Sequence, residues 1–290
     1  MHGVLVIDKP AGRSSASTVD KVKKALQLDR AGHGGTLDPL ATGVLAVCVN
    51  AGTKVAQYLL AHDKAYEATC VLGVETDTLD RTGKVLVERP VDVDEARLRA
   101  ALAAKLGEHD QVPPMYSAIK QDGVRMYHRA RAGEEIERAA RRVRIDQLEL
   151  LAFEGTTFRI AVACSKGTYI RSLVADLGSD LGCGAHLGEL RRTRSGRFTI
   201  AQAITLEQVS SVDLSAHLIT LGRVLDLPRV VAKVFQLQAI RDGLQLPIEE
   251  LGGNSEPFQI VDEAGQLVAI AHGNGKRAVY DRVFPADATS

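Results

Sequence analysis

The sequence is poor in the features that place a protein quickly. Only four of its 290 residues are cysteines. Cys48, Cys70, Cys164 and Cys183 stand far apart with no C-x-x-C pair, and three lie in apolar, strand-like runs. That pattern points to reduced core thiols, with neither disulfides nor zinc. No stretch approaches the roughly 18 to 20 apolar residues of a membrane span. The opening MHGVLVIDKP has no basic region followed by a long apolar one, so a soluble, cytoplasmic protein is expected. Net charge is missing too: 36 basic and 36 acidic side chains cancel, which argues neither for nor against nucleic acid. Internal repeats and low-complexity tracts are absent.

The usual nucleotide and metal motifs are incomplete. GHGGTL puts Leu37 where the dinucleotide fingerprint needs its third glycine. IAHGNGKR has Ile270 in place of the first P-loop glycine and Arg277 in place of the Ser or Thr that holds magnesium. DTLDRTG lacks the glycine and the terminal glutamate of a calcium loop, and the histidines show no ligand spacing. Neither a nucleotide cofactor nor a metal is expected.

What is present is an ordinary globular composition, 45% hydrophobic and 25% charged, in a chain long enough for one large or two unequal domains. GVLVI, residues 3 to 7, reads as a buried strand ending at Lys9-Pro10, where KPAGRSS supplies turn chemistry and helix caps. Val19, Val22 and Leu26 then follow a helical spacing. VLAVCV and AYEATCVLGV read as strands. Asp92 is placed to cap a helix running through Leu98, Leu102 and Leu106 to Gly107. HDQVPPMYSAIKQDGVRMYHRARAGEEIE has no period and reads as a long basic excursion.

RVRIDQLELLAF and TFRIAVACS restore order, with Phe158, Ile160, Val162 and Cys164 alternating as in a half-buried strand. KGTYIRSLVADLGSDLG turns at Gly167 into a helix striped by Ile170, Leu173, Val174 and Leu177, with Arg171 off the stripe. Past Pro228 short strands and glycine turns suggest a small β-rich domain. Arginines crowd two segments, Arg125, Arg129, Arg131, Arg138, Arg141, Arg142 and Arg144 in one, Arg191, Arg192, Arg194 and Arg197 in the other. Each run is either a solvated face or a phosphate-binding one. In GHGGTLDPLATG, glycines precede Asp38, and Pro39 pushes it into an extended conformation. Such an aspartate either bonds its own backbone in a turn or presents a catalytic carboxylate.

GHGGTLDPLATGVLAVC closely resembles the catalytic-loop motif of the TruB family of tRNA pseudouridine synthases. Further blocks resemble that family in the same order across residues 3 to 198. GVLVIDKPAGRSSASTVDKVKKAL looks like its opening motif and KAYEATCVLGVETDTLDRTG like its tyrosine segment. VPPMYSAIKQDGVRMYHRARAG is similar to its inserted RNA-gripping segment, CSKGTYIRSLVADLG to its arginine motif, and GAHLGELRRTRSGRF to the motif that follows. Gly34 stands where members often carry Thr.

The resemblance implies an α+β fold: a mixed, largely antiparallel sheet with flanking helices over residues 1–226, an inserted RNA-gripping segment at about 108–142, and a PUA-like β-rich domain over 227–290. It implies isomerisation of the T-loop uridine at position 55 of tRNA to pseudouridine. The uracil is flipped out, detached from its ribose, turned and rejoined through carbon 5. No cofactor or metal takes part in such a reaction. The implied partner is the tRNA T stem-loop, with no membrane, no obligatory protein partner and a monomeric enzyme. An RNA-binding and tRNA-folding module, in which flipping matters more than chemistry, is the alternative.

By the same resemblance Asp38 is the essential carboxylate, either a nucleophile or the base that removes a ribose proton. Arg171 sits beside it, lowering its pKa and orienting it. Tyr66 stacks on the flipped base and its hydroxyl moves a proton late in the reaction. Tyr169 and Leu190 line the uracil pocket, and His33 fills the space that the flipped nucleotide vacates. Lys9 and Pro10 support the cleft.

Overall fold

A computed structural model of the chain describes residues 1–116, 138–284 and 286, with the main chain of residues 120–121 and 124–125. Arg129, Arg131 and the side chain of Arg125 lie outside the described residues.

The first strand, β1 (Gly3–Lys9), leads through a Ser14-capped helix, α1 (Ser15–Ala25), to β2 (Ala31–His33) and β3 (Thr42–Val49). The Ser14 side chain accepts the Ser17 N–H at 3.1 Å, a cap worth about 1 kcal/mol. Next come β4 (Lys64–Leu72), the hairpin of β5 (Val74–Thr76) and β6 (Val85–Glu88), α2 (Glu95–Ala104) and β7 (Gly107–Gln111). After the excursion follow β8 (Arg141–Phe153), β9 (Thr157–Cys164), α3 (Ile170–Leu181) and β10 (Ala185–Ser195), with two short strands, β11 (Phe198–Thr199) and β12 (Ile204–Thr205).

These strands form a ten-stranded sheet in the order β12-β1-β3-β10-β4-β9-β8-β7, with β2 beside β3 and β11 beside β10. Only the β1–β12 and β3–β10 pairs are parallel, so the sheet is mixed and largely antiparallel. β1 and β3 read as unbroken apolar runs because both of their faces are covered. Val4, Val6, Val44, Ala46 and Cys48 belong to one core, while Leu5, Ile7, Leu45, Val47 and Val49 face α1 and belong to another. In β9 the alternation of Phe158, Ile160, Val162 and Cys164 turns one face toward α2 and α3. All four cysteines are buried as free thiols.

Three local expectations shift. Asp94, not Asp92, caps α2, accepting the Arg97 N–H at 2.8 Å; the helix stops at Ala104 and Leu106 is left 47% exposed. The strand begun at AYEATC ends at Leu72 because Gly73 turns with φ +85. Residues Gly107–Gln111 pair with Arg141–Ile145 at the sheet edge, so residues 108–111 and 141–142, expected in the inserted segment of about 108–142, belong to the sheet. An edge strand open to water on one face carries too little apolar pattern to be read from sequence.

Beyond Pro228 a second, four-stranded sheet runs β13 (Arg229–Val231), β14 (Phe258–Val261), β15 (Leu267–Asn274) and β16 (Arg277–Val283), with α4 (Val234–Arg241) on its inner core. It does not hang free. Val261, Leu267, Ile270 and Phe284 share a continuous apolar core with Val4, Val44 and Leu59 of the main body. Among the described residues no helix is long and apolar enough to cross a membrane.

Candidate active site

The loop between β2 and β3 is tied down at almost every residue. Gly34 N–H donates to Ala46 C=O at 2.9 Å. The Arg192 guanidinium, 2% exposed, donates to the carbonyls of Gly35 and Thr36, each at 3.2 Å, and of Val44 at 2.8 Å. Ser15 Oγ, from α1, accepts the Leu37 N–H at 2.8 Å and donates to the Leu37 carbonyl at 3.1 Å. The Pro39 carbonyl accepts the Gly12 N–H at 2.8 Å and Lys9 Nζ at 3.3 Å. Asp38 therefore sits between two anchored neighbours. Its own carbonyl closes the turn by accepting the Ala41 N–H at 3.1 Å, and its carboxylate meets Arg171.

Two glycines make this path possible. A Cβ on Gly34 would lie 2.7 Å from Leu59 Cβ, so a larger side chain has no room beside this leucine. Gly43 has φ +99, and a Cβ there would meet the Arg192 carbonyl at 2.2 Å; only glycine allows β3 and β10 to approach so closely.

Arg171, in the first turn of α3, has Nε 2.9 Å from Asp38 Oδ2. Its Nη1 donates to the Thr78 carbonyl at 3.0 Å and its Nη2 to the Tyr116 carbonyl at 2.8 Å. Although off the apolar stripe, Arg171 is 4% exposed, because the segments around Thr78 and Tyr116 cover it. A second carboxylate stands behind it: Asp80, 3% exposed, lies 3.6 Å from Arg171 Nη1. Thr78 Oγ1 and the Thr82 N–H, each at 2.9 Å, and Thr82 Oγ1 at 2.6 Å donate to its Oδ1.

These surroundings outweigh the lowering that Arg171 exerts as expected. The Asp38 pKa is raised rather than lowered: burial raises it most, Arg171 opposes through charge and hydrogen bonding, Asp80 raises it further and Lys9 lowers it. Removing a carboxylate from water disfavours its charged form, and one opposite charge offsets only part of that penalty. Burial also brings Lys9 down to about 8, with Asp38 opposing. The Lys9 ammonium is fully buried and donates to the carbonyls of Pro10 at 2.9 Å, Arg13 at 2.7 Å and Pro39 at 3.3 Å.

The facing wall comes from the sheet. On β4, Tyr66 lies opposite Val162 of β9 and Arg192 of β10, and Ala68 lies opposite Leu190. Directly opposed residues share a face, so Tyr66, Ala68, Leu190 and Arg192 all point to the side that α3 covers. Leu37, Ile170 and Leu190 belong to that core and Tyr66 packs against it. The Tyr66 phenol is raised by burial, with the charge and hydrogen bond of Arg192 opposing and Asp38 adding to the rise. Tyr169 is the N-cap residue of α3, next to Ile170 and Arg171, and His33 ends β2 at the mouth of the loop.

Asp38, Arg171, Tyr66 and Lys9 thus come together, with Leu190 and Tyr169 in the adjoining wall and Pro10 in the Lys9 anchor. Sequence reasoning missed three buried polar residues: Asp80, Arg192 and Gln111. Arg192, expected with its neighbours on a solvated or phosphate-binding face, points inward. Arg191 pairs with Asp8 at 2.7 Å, and Arg197 donates to the Arg223 carbonyl. In the other run Arg142 pairs with Glu108 at 3.3 Å and Arg144 with Asp146 at 2.6 Å. Much of the arginine charge is therefore engaged within the chain.

A family model described as TruB family pseudouridylate synthase (N terminal domain) matches residues 23–170, and one described as tRNA pseudouridylate synthase B C-terminal domain matches residues 171–226. The tRNA pseudouridine synthase B of Pseudomonas fluorescens is 54% identical over 212 residues, covering 73% of this chain and 70% of that protein. The enzyme of the same name from Aromatoleum aromaticum is 49% identical over 247 residues, 84% of this chain and 80% of that one. Among solved structures, a chain of a Cbf5-Nop10-Gar1 complex superposes with a TM-score of 0.78 at 29% identity, covering all of this chain and 87% of its own. A chain of an H/ACA ribonucleoprotein bound to a substrate RNA containing 2'-deoxyuridine gives 0.77 at 27% identity, covering all of this chain and 87% of that one.

Proposed function

The chain belongs to the TruB family of pseudouridylate synthases and is a tRNA pseudouridine synthase, and we propose that its target is the T-loop uridine at position 55, converted through Asp38. The observation that carries this reading is the Asp38–Arg171 ion pair at 2.9 Å. Asp38 stands on an anchored loop and reaches solvent over 33% of its side chain, while Arg171 is sealed behind it. A positioned carboxylate whose supports are already in place needs little rearrangement at the moment of reaction.

The flipped uridine enters between this carboxylate and Tyr66. The ionised Asp38 initiates cleavage of the bond between N1 of uracil and C1′ of ribose. The freed ring turns, C5 bonds to C1′, the hydrogen on C5 leaves to solvent as a proton, and N1 takes up a proton in exchange. The sum is an isomerisation, which calls for no cofactor. Leu190 and Tyr169 wall the base, His33 takes the vacated place in the RNA, and the Tyr66 phenol, held by Arg192, moves the final proton. Lys9 and Pro10 hold the loop.

We assign the catalytic domain to residues 1–226 and read 227–290 as a PUA-like domain, the excursion gripping the T stem-loop through phosphate contacts. The enzyme works as a cytoplasmic monomer without a protein partner. The test is tritium release from a T stem-loop hairpin carrying C5-tritiated uridine, with no other protein or RNA present. Release that vanishes when position 55 is replaced by cytidine is expected. Release independent of that position, or none until another protein or a guide RNA is added, contradicts the proposal.

A further inference from the structure

Gln111 ends β7 and is 2% exposed, on an edge strand whose other residues are open or half-buried. Its carboxamide reaches across to the first turn of α3. Oε1 accepts the Tyr169 N–H at 2.8 Å and Nε2 donates to the Tyr169 carbonyl at 3.1 Å. One side chain thus satisfies both main-chain groups of one residue, as a paired strand would. The following residues add to the bond. The Val112 carbonyl accepts Ser172 Oγ at 2.8 Å, and the Tyr116 carbonyl accepts Arg171 Nη2 at 2.8 Å. Four hydrogen bonds therefore join residues 111–116 to Tyr169, Arg171 and Ser172.

The helix needs this support. Its N-cap residue, Tyr169, makes no side-chain cap, so the first turn has no anchor of its own kind. Arg171, two residues on, must place Nε beside Asp38. A shift of about 1 Å in catalytic geometry can cost on the order of a hundredfold in rate.

We propose that Gln111 is a positioning residue for the isomerisation: it fixes the first turn of α3 to the root of the excursion, so that Arg171 is held where it meets Asp38. The proposal rests on the reading of Asp38 and Arg171 as the reacting pair. It makes the point where the chain leaves the sheet toward RNA part of the support of the chemistry.

Two substitutions test it in the full-length enzyme with tRNA. Gln111→Met keeps length and volume but offers neither hydrogen bond. Its tRNA affinity is expected within about threefold of wild type, its single-turnover rate reduced at least about tenfold. The acid limb of its rate profile moves to higher pH, because Asp38, flanked by Arg171, Asp80, Lys9 and the Tyr66 phenol, loses the main charge that holds it ionised. Gln111→Glu supplies an internal control. When protonated it accepts and donates as the amide does; when ionised it opposes the Tyr169 carbonyl. Its rate relative to wild type is expected to fall at least about fivefold as pH rises through the titration of that carboxyl, followed from fully protonated to fully ionised.

A wild-type rate and acid limb in Gln111→Met, a rate loss matched by an equal loss of tRNA affinity, or a flat Gln111→Glu ratio overturns the proposal. If Gln111→Met does not fold, the pH ratio of Gln111→Glu decides. Full activity in Asp38→Asn would instead overturn the reading of the reacting pair. An inactive Asp38→Asn beside unaltered Gln111 variants would overturn only the positioning role.

Discussion

Arg171 stands 2.9 Å from Asp38 with 4% of its own side chain exposed against 33% of the aspartate's. The cation is sealed behind the anion, so the carboxylate alone is offered to the cleft. Asp80 sits on the far side of the same guanidinium at 3.6 Å, sharing the charge that Asp38 needs.

That sharing sets a pH dependence. The Asp38 pKa is raised above the ordinary aspartate value of 3.8, and Asp80 is one of the causes. Activity requiring the ionised form rises with pH through that raised pKa. Asp80→Asn removes the competing charge, so the acid limb of its single-turnover profile is expected at lower pH than in wild type. An unmoved or raised limb contradicts the arrangement.

The same shift bears on stability. A carboxylate whose pKa is higher folded than unfolded binds extra protons in the native state, so its contribution is lost as pH rises through the raised value. At neutral pH Asp38 is thus a load on the fold. Asp38→Asn is expected to melt at the wild-type temperature or above it near neutrality, by thermal denaturation, and to lose that advantage at acid pH.

Lys9 gives the opposite limb. Its ammonium supplies a donor for each of three carbonyls, and its pKa is lowered to about 8 by burial. A neutral amine has only two donors, so the loop slackens as pH climbs past about 8. The wild-type rate profile is expected to bend down there, and Lys9→Met to be slower with no such bend. By linkage, this lysine's effect on stability improves from about 8 toward 10.5, where the unfolded chain still holds the proton. Denaturant titration of Lys9→Met is expected to show a loss of about 1–3 kcal/mol from the unsatisfied carbonyls.

Tyr66 separates stacking from proton transfer. Tyr66→Phe keeps the ring on β4 and deletes the hydroxyl beside Arg192. Retained tRNA binding with a single-turnover rate reduced about a hundredfold or more is expected if the phenol moves a proton. A rate within a few-fold of wild type would reduce this residue to a stacking wall.

Much of this was legible in the sequence because it was local. The glycine loop around Asp38, the alternation in β9 and the stripe of α3 each follow from residues a few positions apart. Asp80, Arg192 and Gln111 were not legible, since their partners are main-chain groups 58 to 157 residues away or, for Asp80, an arginine on a distant helix. DTLDRTG lacks the pattern of a calcium loop, and its aspartate between two threonines is instead a self-capping turn. Strand alternation did hold a clue for Arg192. Adjacent residues of a strand face opposite ways, so Arg191 and Arg192 could not both belong to one basic surface.

The central claim is that Asp38 does the chemistry and not the binding. Tritium release from C5-tritiated tRNA should be measured for wild type and Asp38→Asn at tRNA concentrations that saturate each. The account predicts equal tRNA affinity with release abolished in Asp38→Asn. Release at the wild-type rate from that variant would contradict it.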